Sequence, residues 1–590
     1  MKLSGISINK INRIIDKKNY FYLYLYYFLL LGANIFELIG ISSIPIFILA
    51  LTGNELISNY IELLNIESFI YSFDLEIEIL IGIALFIIFL LKNIYLGFLS
   101  YFQNKLRLKL RQDLKNKIYS NYIYSPYSFF LLRNPATLAR NVVLDCNNSI
   151  EIIFKIITIL KELILLILIS TLLLLANPAS AISVISILFI SSLIFVLLTK
   201  NIMGKAGKKI HKASGSTLVY LQETFGSIKE LKILNKHLFS LKKFTTVMTE
   251  EERNRALSGF IQSLPRLFLE TVSITGIMLL CFFLIRVNGS FEIILPILTL
   301  YIVSIVRMMP SYNIITQSIS GINNLMFSFE FIYNEIINVE KKNYVSNKFE
   351  KIKDFPKLRN KIILKDINFN YEKNKSVLEN INLEIIKNSK VGIIGPSGSG
   401  KSTLLDLITC LHTPQKGKIF CDDIDINSNK AGWQKKLGYV AQNIYLLDDT
   451  IKNNIAYGIN EEEIENDKLV DSLKKSQLYT FVNSLQNKEE TLIGNNGIRI
   501  SGGQRQRIGI ARALYTDPEI IIFDEATSSL DEENESKIMD DIDKLSKNKT
   551  IIIITHRLNS VKNCDNIFVL KNGSIIDNGK YKDLINSGII

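Results

Sequence analysis

Two stretches of the chain carry residue types at spacings that could do phosphate chemistry. The first reads Gly395, Pro396, Ser397, Gly398, Ser399, Gly400, Lys401, Ser402, Thr403. Its glycines let successive backbone N–H groups close on anionic oxygens, and a helix starting there would aim its positive end at them. Lys401 can reach terminal phosphates, and the Ser402 hydroxyl suits Mg²⁺. The second stretch is Ile520–Ile521–Ile522–Phe523–Asp524–Glu525, an apolar run ending in two carboxylates. Asp524 is placed to hold Mg²⁺ through water, and Glu525 to polarise an attacking water. The pair implies a site for ATP and Mg²⁺.

Such groups need a rigid frame. Val391–Ile394 has the apolar pattern of a strand and Thr403–Thr409 that of a helix, so the loop is predicted to join one to the other. Residues 341–590 therefore read as an α/β P-loop domain. The chain has 590 residues, 48% of them hydrophobic, and a net charge of 68 − 56 = +12. This composition excludes intrinsic disorder. Five cysteines (Cys146, Cys281, Cys410, Cys421, Cys564), without CxxC spacing, exclude a disulfide scaffold and read as packing residues.

The remaining half is far more apolar. Six runs reach the roughly 20 residues that a membrane helix needs: Tyr20–Leu51, Ile77–Phe102, Ile152–Ala176, Pro178–Thr199, Phe260–Ile285 and Phe291–Ile315. Residues 1–18 alternate isoleucine with lysine and lack the core of a cleavable leader, so an amphipathic helix on the inner membrane surface is expected there. Residues 19–340 form the expected transmembrane domain. Residues 103–150 carry eight Lys/Arg against two acids, and 200–258 carry twelve against five. Residues 52–91 hold six acids and no Lys or Arg. By the positive-inside rule the two basic loops are cytoplasmic and 52–76 is external. Both basic loops show helical apolar spacing and are read as extensions of the spans into the cytoplasm. They lack a zinc, helix-turn-helix or aromatic-plus-basic pattern, so no nucleic-acid partner is expected.

Further motifs carry a family resemblance. Ile500–Ser501–Gly502–Gly503–Gln504, followed by Arg505–Gln506–Arg507, resembles the signature of the ATP-binding-cassette (ABC) exporters. Gln442 in Tyr439–Val440–Ala441–Gln442 is similar to their Q-loop, Ser529–Leu530–Asp531 to their D-loop, and His556 to their switch histidine. Tyr371, 24 residues before Gly395, resembles the aromatic that stacks on adenine. The order is that of the family. Each residue also suits its task physically. Tyr371 offers a π-face, Gln442 can contact metal and water, Ser501 opens a helix at a second anion site, and His556 can donate to the γ-phosphate while holding Glu525. Two positions depart from the family: Ile500 replaces the usual Leu, and Asn495 stands where many exporters have Glu.

The resemblance implies an all-α six-helix transmembrane domain followed by an ABC nucleotide-binding domain, in a half-transporter at the bacterial inner membrane. The family sandwiches ATP between the P-loop of one domain and the signature of another. With one of each, the chain is expected to act as a homodimer with two composite sites. The intact Glu525–His556 pair argues against a non-hydrolysing module, and the spans argue against a soluble cassette acting on DNA or ribosomes.

Ionisable residues in or beside spans (Glu37, Lys92, Lys161, Glu162, Arg266, Glu270, Arg307) are costly and point to partners or a wet cavity. Arg266 and Glu270 are four apart, which suits a structural pair as well as a functional role. Arg307 has no acid near it in the last span, and in a dimer could hold an anionic headgroup such as pyrophosphate. Phe36–Ile41, Tyr127–Asn134, Gly226–Glu230, Leu264–Arg266 and Arg307–Ser311 resemble segments of bacterial lipid-linked oligosaccharide flippases. That resemblance implies an undecaprenyl-pyrophosphate-linked glycan among membrane lipid. The alternative is a multidrug, lipid or peptide exporter.

Overall fold

The computed structural model describes residues 7–51, 77–176, 178–288, 291–341, 353–372, 375–494, 497–526 and 548–588. The acidic segment 52–76, Asn495 and the Ser529–Asp531 motif lie outside them. The chain divides into two compact units, Met1–Ser125 with Phe129–Lys348, and Pro126–Ser128 with Phe349–Ile590.

The first unit is helical. After α1 (Ile8–Ile14) come α2 (Tyr20–Leu51), α3 (Ile77–Ile123), α4 (Cys146–Ala176), α5 (Pro178–Gly226), α6 (His237–Asn288) and α7 (Phe291–Lys341). Each expected span falls inside one of α2–α7. Among the described residues, 17–40, 79–123 and 181–226 are long and apolar enough to cross a membrane. Helices α5, α6 and α7 run 49, 52 and 51 residues. At about 1.5 Å per residue each is roughly 75 Å long, against an apolar bilayer of about 30 Å. They must project well beyond the membrane, as the helical spacing in the basic loops predicts.

Their packing sorts side chains by solvent. One core gathers Leu30, Leu110, Ile118, Ile150, Phe154, Phe329 and Ile336, and a second gathers Leu165, Ile169, Leu188, Leu269, Ile305 and Met308. Phe86, Ile94, Leu175, Phe189 and Leu198 instead face outward, a distribution that suits lipid rather than water. Helix α1 packs against protein: Ile14 and Ile15 are buried, Lys10 pairs with Glu330 at 3.5 Å, and Arg13 pairs with Glu340. Only Ile8 of its apolar residues stays strongly exposed.

The second unit holds two sheets. The antiparallel one has the order β2-β1-β4-β5, from β1 (Lys361–Glu372), β2 (Lys375–Ile386), β4 (Lys416–Cys421) and β5 (Ile424–Asp425). The other has the order β10-β9-β3-β8-β7-β6, from β3 (Lys390–Ile394), β6 (Leu437–Val440), β7 (Ile520–Asp524), β8 (Thr550–Thr555), β9 (Asn566–Lys571) and β10 (Ser574–Gly579). Strands β6, β7, β8, β3 and β9 are mutually parallel, so their C-terminal ends line one crest. Both β3 and β8 are buried along their whole length, the unbroken apolar reading expected of strands covered on two faces. Cys146, Cys410, Cys421 and Cys564 are buried and form no disulfide among the described residues, consistent with packing roles.

Candidate functional site

The phosphate-loop residues stand at that crest. Strand β3 ends at Ile394, the loop 395–400 follows, and α8 (Lys401–Ile408) begins immediately after. The turn into the helix is made by Gly400 at φ +104°, in the left-handed region where only glycine is unstrained. A Cβ on Gly395 would lie 2.1 Å from the Leu570 carbonyl oxygen, so that position is closed to any side chain. Lys401 Nζ donates to the carbonyls of Gly395 at 2.8 Å and Pro396 at 3.0 Å, which holds the amine over the loop. Burial lowers the affinity of this amine for its proton, while Glu525 and Asp524 oppose that shift. Ser399 Oγ is buried without a protein partner, and Ser402 is exposed.

The carboxylates arrive from the neighbouring strand but one. Strand β7 delivers Asp524 opposite Ile554 of β8, and Glu525 follows at φ +46°. A non-glycine residue there is strained, a cost of order 1–3 kcal/mol that recurs at functional sites. The strain is fixed by the Glu525 N–H, which donates to the Ile554 carbonyl at 2.7 Å. Gln442, just past β6, donates from Nε2 to Glu525 Oε2 at 2.7 Å. His556, just past β8, sets Nδ1 3.3 Å from Glu525 Oε1. Three adjacent parallel strands thus bring Gln442, Glu525 and His556 together at their C-terminal ends, where open α/β sheets place ligands.

One partner escaped the sequence reading. Tyr439 OH donates to Asp524 Oδ2 at 3.0 Å. The available signal was its place at the end of β6, on a strand in register with β7. Burial, with the Glu525 charge adding to it, raises the Asp524 carboxyl above the usual range, against the Tyr439 hydrogen bond and Lys401. Asp406 on α8 is pushed up to about 6 by burial and then by Asp524. We predict that Tyr439→Phe raises the Mg²⁺ needed for half-maximal ATP turnover about tenfold, on the scale of one hydrogen bond to a charged group. A Mg²⁺ titration of the two proteins checks this.

The donor set fits Mg²⁺. Among the described residues no three His, Cys, Asp or Glu side chains cluster as a complete metal cage. Ser402, Gln442 and Asp524 instead offer a few oxygens, which suits an ion that keeps water and phosphate in its shell. The crowding of Asp406 and Asp524 supplies the negative charge such an ion would relieve.

Tyr371 is half-exposed, with its ring edge-on to Phe369 at 5.1 Å and to His412 at 5.5 Å. Its hydroxyl lies 3.1 Å from Thr403 Oγ1, which ties the aromatic to the helix that follows the phosphate loop. Ser501 caps α9 (Gly502–Tyr515): its Oγ accepts from Gln504 N at 3.2 Å, and Gln504 Oε1 accepts from Ser501 N at 2.8 Å. Gly503 lies in the first turn of that helix. The buried face of α9, including Ile508, Ala511 and Tyr515, belongs to a core with Leu446, Ile455 and Leu473. The α8 residues Leu404, Leu405 and Leu407 belong to another. Among the described residues no hydrogen bond joins 501–504 to 395–403.

Residues 378–528 match the family model described as ABC transporter. The C-terminal unit is an ABC transporter nucleotide-binding domain. The ATP-dependent lipid A-core flippase of Francisella novicida is 37% identical over 246 residues, 42% of this chain and 41% of that one. That of Idiomarina loihiensis is 38% identical over 226 residues, 38% of this chain and 39% of that one. The alpha-hemolysin translocation ATP-binding protein HlyB of Proteus vulgaris is 38% identical over 245 residues, 41% of this chain and 34% of that one. The chain thus matches about two fifths of the length of the first of these relatives. In the whole-chain comparison, a bacterial Atm1-family ABC exporter with ATP bound superposes with a TM-score of 0.74 at 19% identity, covering 95% of this chain and 96% of that one. An ABC exporter fold therefore spans nearly the whole chain, with an all-α membrane domain preceding the ABC domain.

The membrane-domain cations are less free than the sequence suggests. Arg307 on α7 pairs with Glu37 on α2, which is buried; no acid lies near Arg307 in its own span, and the partner comes from another helix. The acid lies on another helix, beyond the reach of local sequence. Lys161 and Glu162 pair at 3.0 Å, and Asn34 Nδ2 donates to the Lys161 carbonyl at 3.0 Å. Arg266 and Glu270 are both exposed and form no ion pair with each other among the described residues.

Proposed function

We propose that the chain is one half of a homodimeric, ATP-driven exporter whose cargo class is a lipid-linked oligosaccharide. The observation that carries the ATPase part is Glu525, held between Gln442 and His556 beside the Lys401 loop. Loop amides 395–400 and Lys401 bind the phosphates of ATP. Ser402, Gln442 and Asp524 hold Mg²⁺, which when bound offsets phosphate charge. Glu525 polarises the attacking water. His556 fixes the Glu525 carboxylate and can donate to the terminal phosphate. Tyr371 receives the adenine ring.

Among the described residues no hydrogen bond joins the Ser501–Gln504 segment to the phosphate loop. This supports a site closed by the signature of a second copy. Closing two such sites would bias the long helices between inward and outward states, because ATP binds the closed arrangement better.

Two observations bear on the cargo. Curated relatives include lipid A-core flippases, and the helical unit carries a Glu37–Arg307 ion pair whose carboxylate is buried. An anionic headgroup could displace Glu37 and engage Arg307 from each copy, with Arg266 as a further cation. The similarity to HlyB at a like level keeps a polypeptide exporter as the second reading. ATP turnover in lipid vesicles, titrated with a lipid-pyrophosphate glycan, drugs and peptides in parallel, tests the choice. The glycan is expected to stimulate and Arg307→Ala to lose most of that stimulation. Unchanged stimulation in the variant would remove Arg307 from headgroup binding.

A further inference from the structure

The helical unit encloses a second polar site that nucleotide chemistry does not use. A cavity of about 340 Å³ lies among the residues after α3, the start of α4, and α5, α6 and α7. On the usual share of liquid volume it would hold on the order of ten waters. At its wall Asp145, 2% exposed, receives Arg140 Nη2 at 3.3 Å and His211 Nε2 at 3.2 Å. Arg140 Nη1 also donates to the His211 carbonyl at 3.0 Å. Asp145 closes a π-helical turn, Asn141–Asp145, the kind of irregularity that recurs at functional sites.

The rest of the lining narrows the ligand class. Arg255 is matched by Glu251 at 2.6 Å, as Arg140 is by Asp145, so each of these cations already has its carboxylate. Their charges are already matched, so the site offers no excess positive charge to an incoming phosphate. The other polar groups are amides and hydroxyls: Asn148, Ser258, Gln262, Asn324 and Ser328. Asn148 Nδ2 donates to Ser328 Oγ at 3.3 Å. Two buried atoms of lining residues, Arg140 Nε and Asn324 Oδ1, have no protein partner. A buried donor and a buried acceptor left unpaired are each destabilising, and a ligand or water that pairs them recovers that loss. Leu144, Ile210 and Leu325 add apolar surface to the same wall. An apolar ligand would strand the amides, whereas a neutral ring bearing hydroxyls and amides would use both kinds of surface.

We propose that this cavity binds the uncharged sugar portion of the cargo, a role that rests on the exporter reading above. The site is distinct from the Glu37–Arg307 pair, which lies on α2 and α7. The test uses the full chain in lipid nanodiscs with N,N′-diacetylchitobiose as probe, followed by saturation-transfer NMR. Binding is expected, with inorganic phosphate at equal concentration failing to compete. Gln262→Leu and Asn324→Leu are each expected to weaken it about tenfold, and Asn324→Asp, which keeps the acceptor oxygen, to weaken it less than Asn324→Leu. Absence of saccharide binding, binding indifferent to both leucine variants, or competition by phosphate would overturn the proposal. Should the leucine variants fail to fold, the wild-type comparison of saccharide with phosphate decides the class alone. Wild-type ATP turnover in the same nanodiscs separates the two readings. Turnover without saccharide binding sinks the sugar site alone, whereas saccharide binding without turnover sinks the ATP-driven reading and with it the bound sugar's role as cargo.

Discussion

Glu525→Gln lowers steady-state ATP hydrolysis by about 100-fold or more, the usual range for loss of a positioned general base, while ATP remains bound. The amide keeps the shape of the side chain and its contact with Gln442, whose Nε2 now reaches Glu525 Oε2 at 2.7 Å. It loses the basicity needed to draw a proton from water. His556, at 3.3 Å from Oε1, then has no carboxylate to orient. Phosphate release and retention of labelled ATP after rapid desalting measure the two halves of the result. Equal turnover in variant and parent would take the hydrolytic role away from Glu525.

Lys401→Met and Ser501→Arg each abolish turnover as separate proteins, yet activity returns when the two are co-assembled. The reason is geometric. Lys401 sits over its loop through the Gly395 and Pro396 carbonyls, and among the described residues no hydrogen bond ties Ser501 to that loop. If each site joins the loop of one copy to the signature of the other, a mixed pair has one site with both defects and one with neither. A site formed within a single chain would leave every molecule with one defect and no recovery. Co-expression with two affinity tags, tandem purification and a turnover assay read the outcome.

Much of this site was legible because its groups lie close in sequence. The phosphate loop announces itself through nine consecutive residues and its flanking strand and helix. The apolar run into Asp524 announces a second strand of the same sheet. The long apolar helices were equally plain, since a periodic apolar stretch needs no distant partner to be recognised. What stayed hidden depends on contacts between remote segments. The bond from Tyr439 to Asp524 requires knowing that β6 lies beside β7. The acid opposite Arg307 comes from α2. The Arg140–Asp145–His211 cluster joins a π-turn to α5, and nothing in the spacing of those three residues foretells it.

The left-handed backbone at Glu525 sets a trap for anyone improving the protein by heat resistance alone. Glycine or asparagine would relax that torsion and raise the melting temperature, because the residue that chemistry requires is not the one the main chain prefers. A library ranked only by survival at high temperature would therefore enrich for proteins that fold well and no longer turn over ATP.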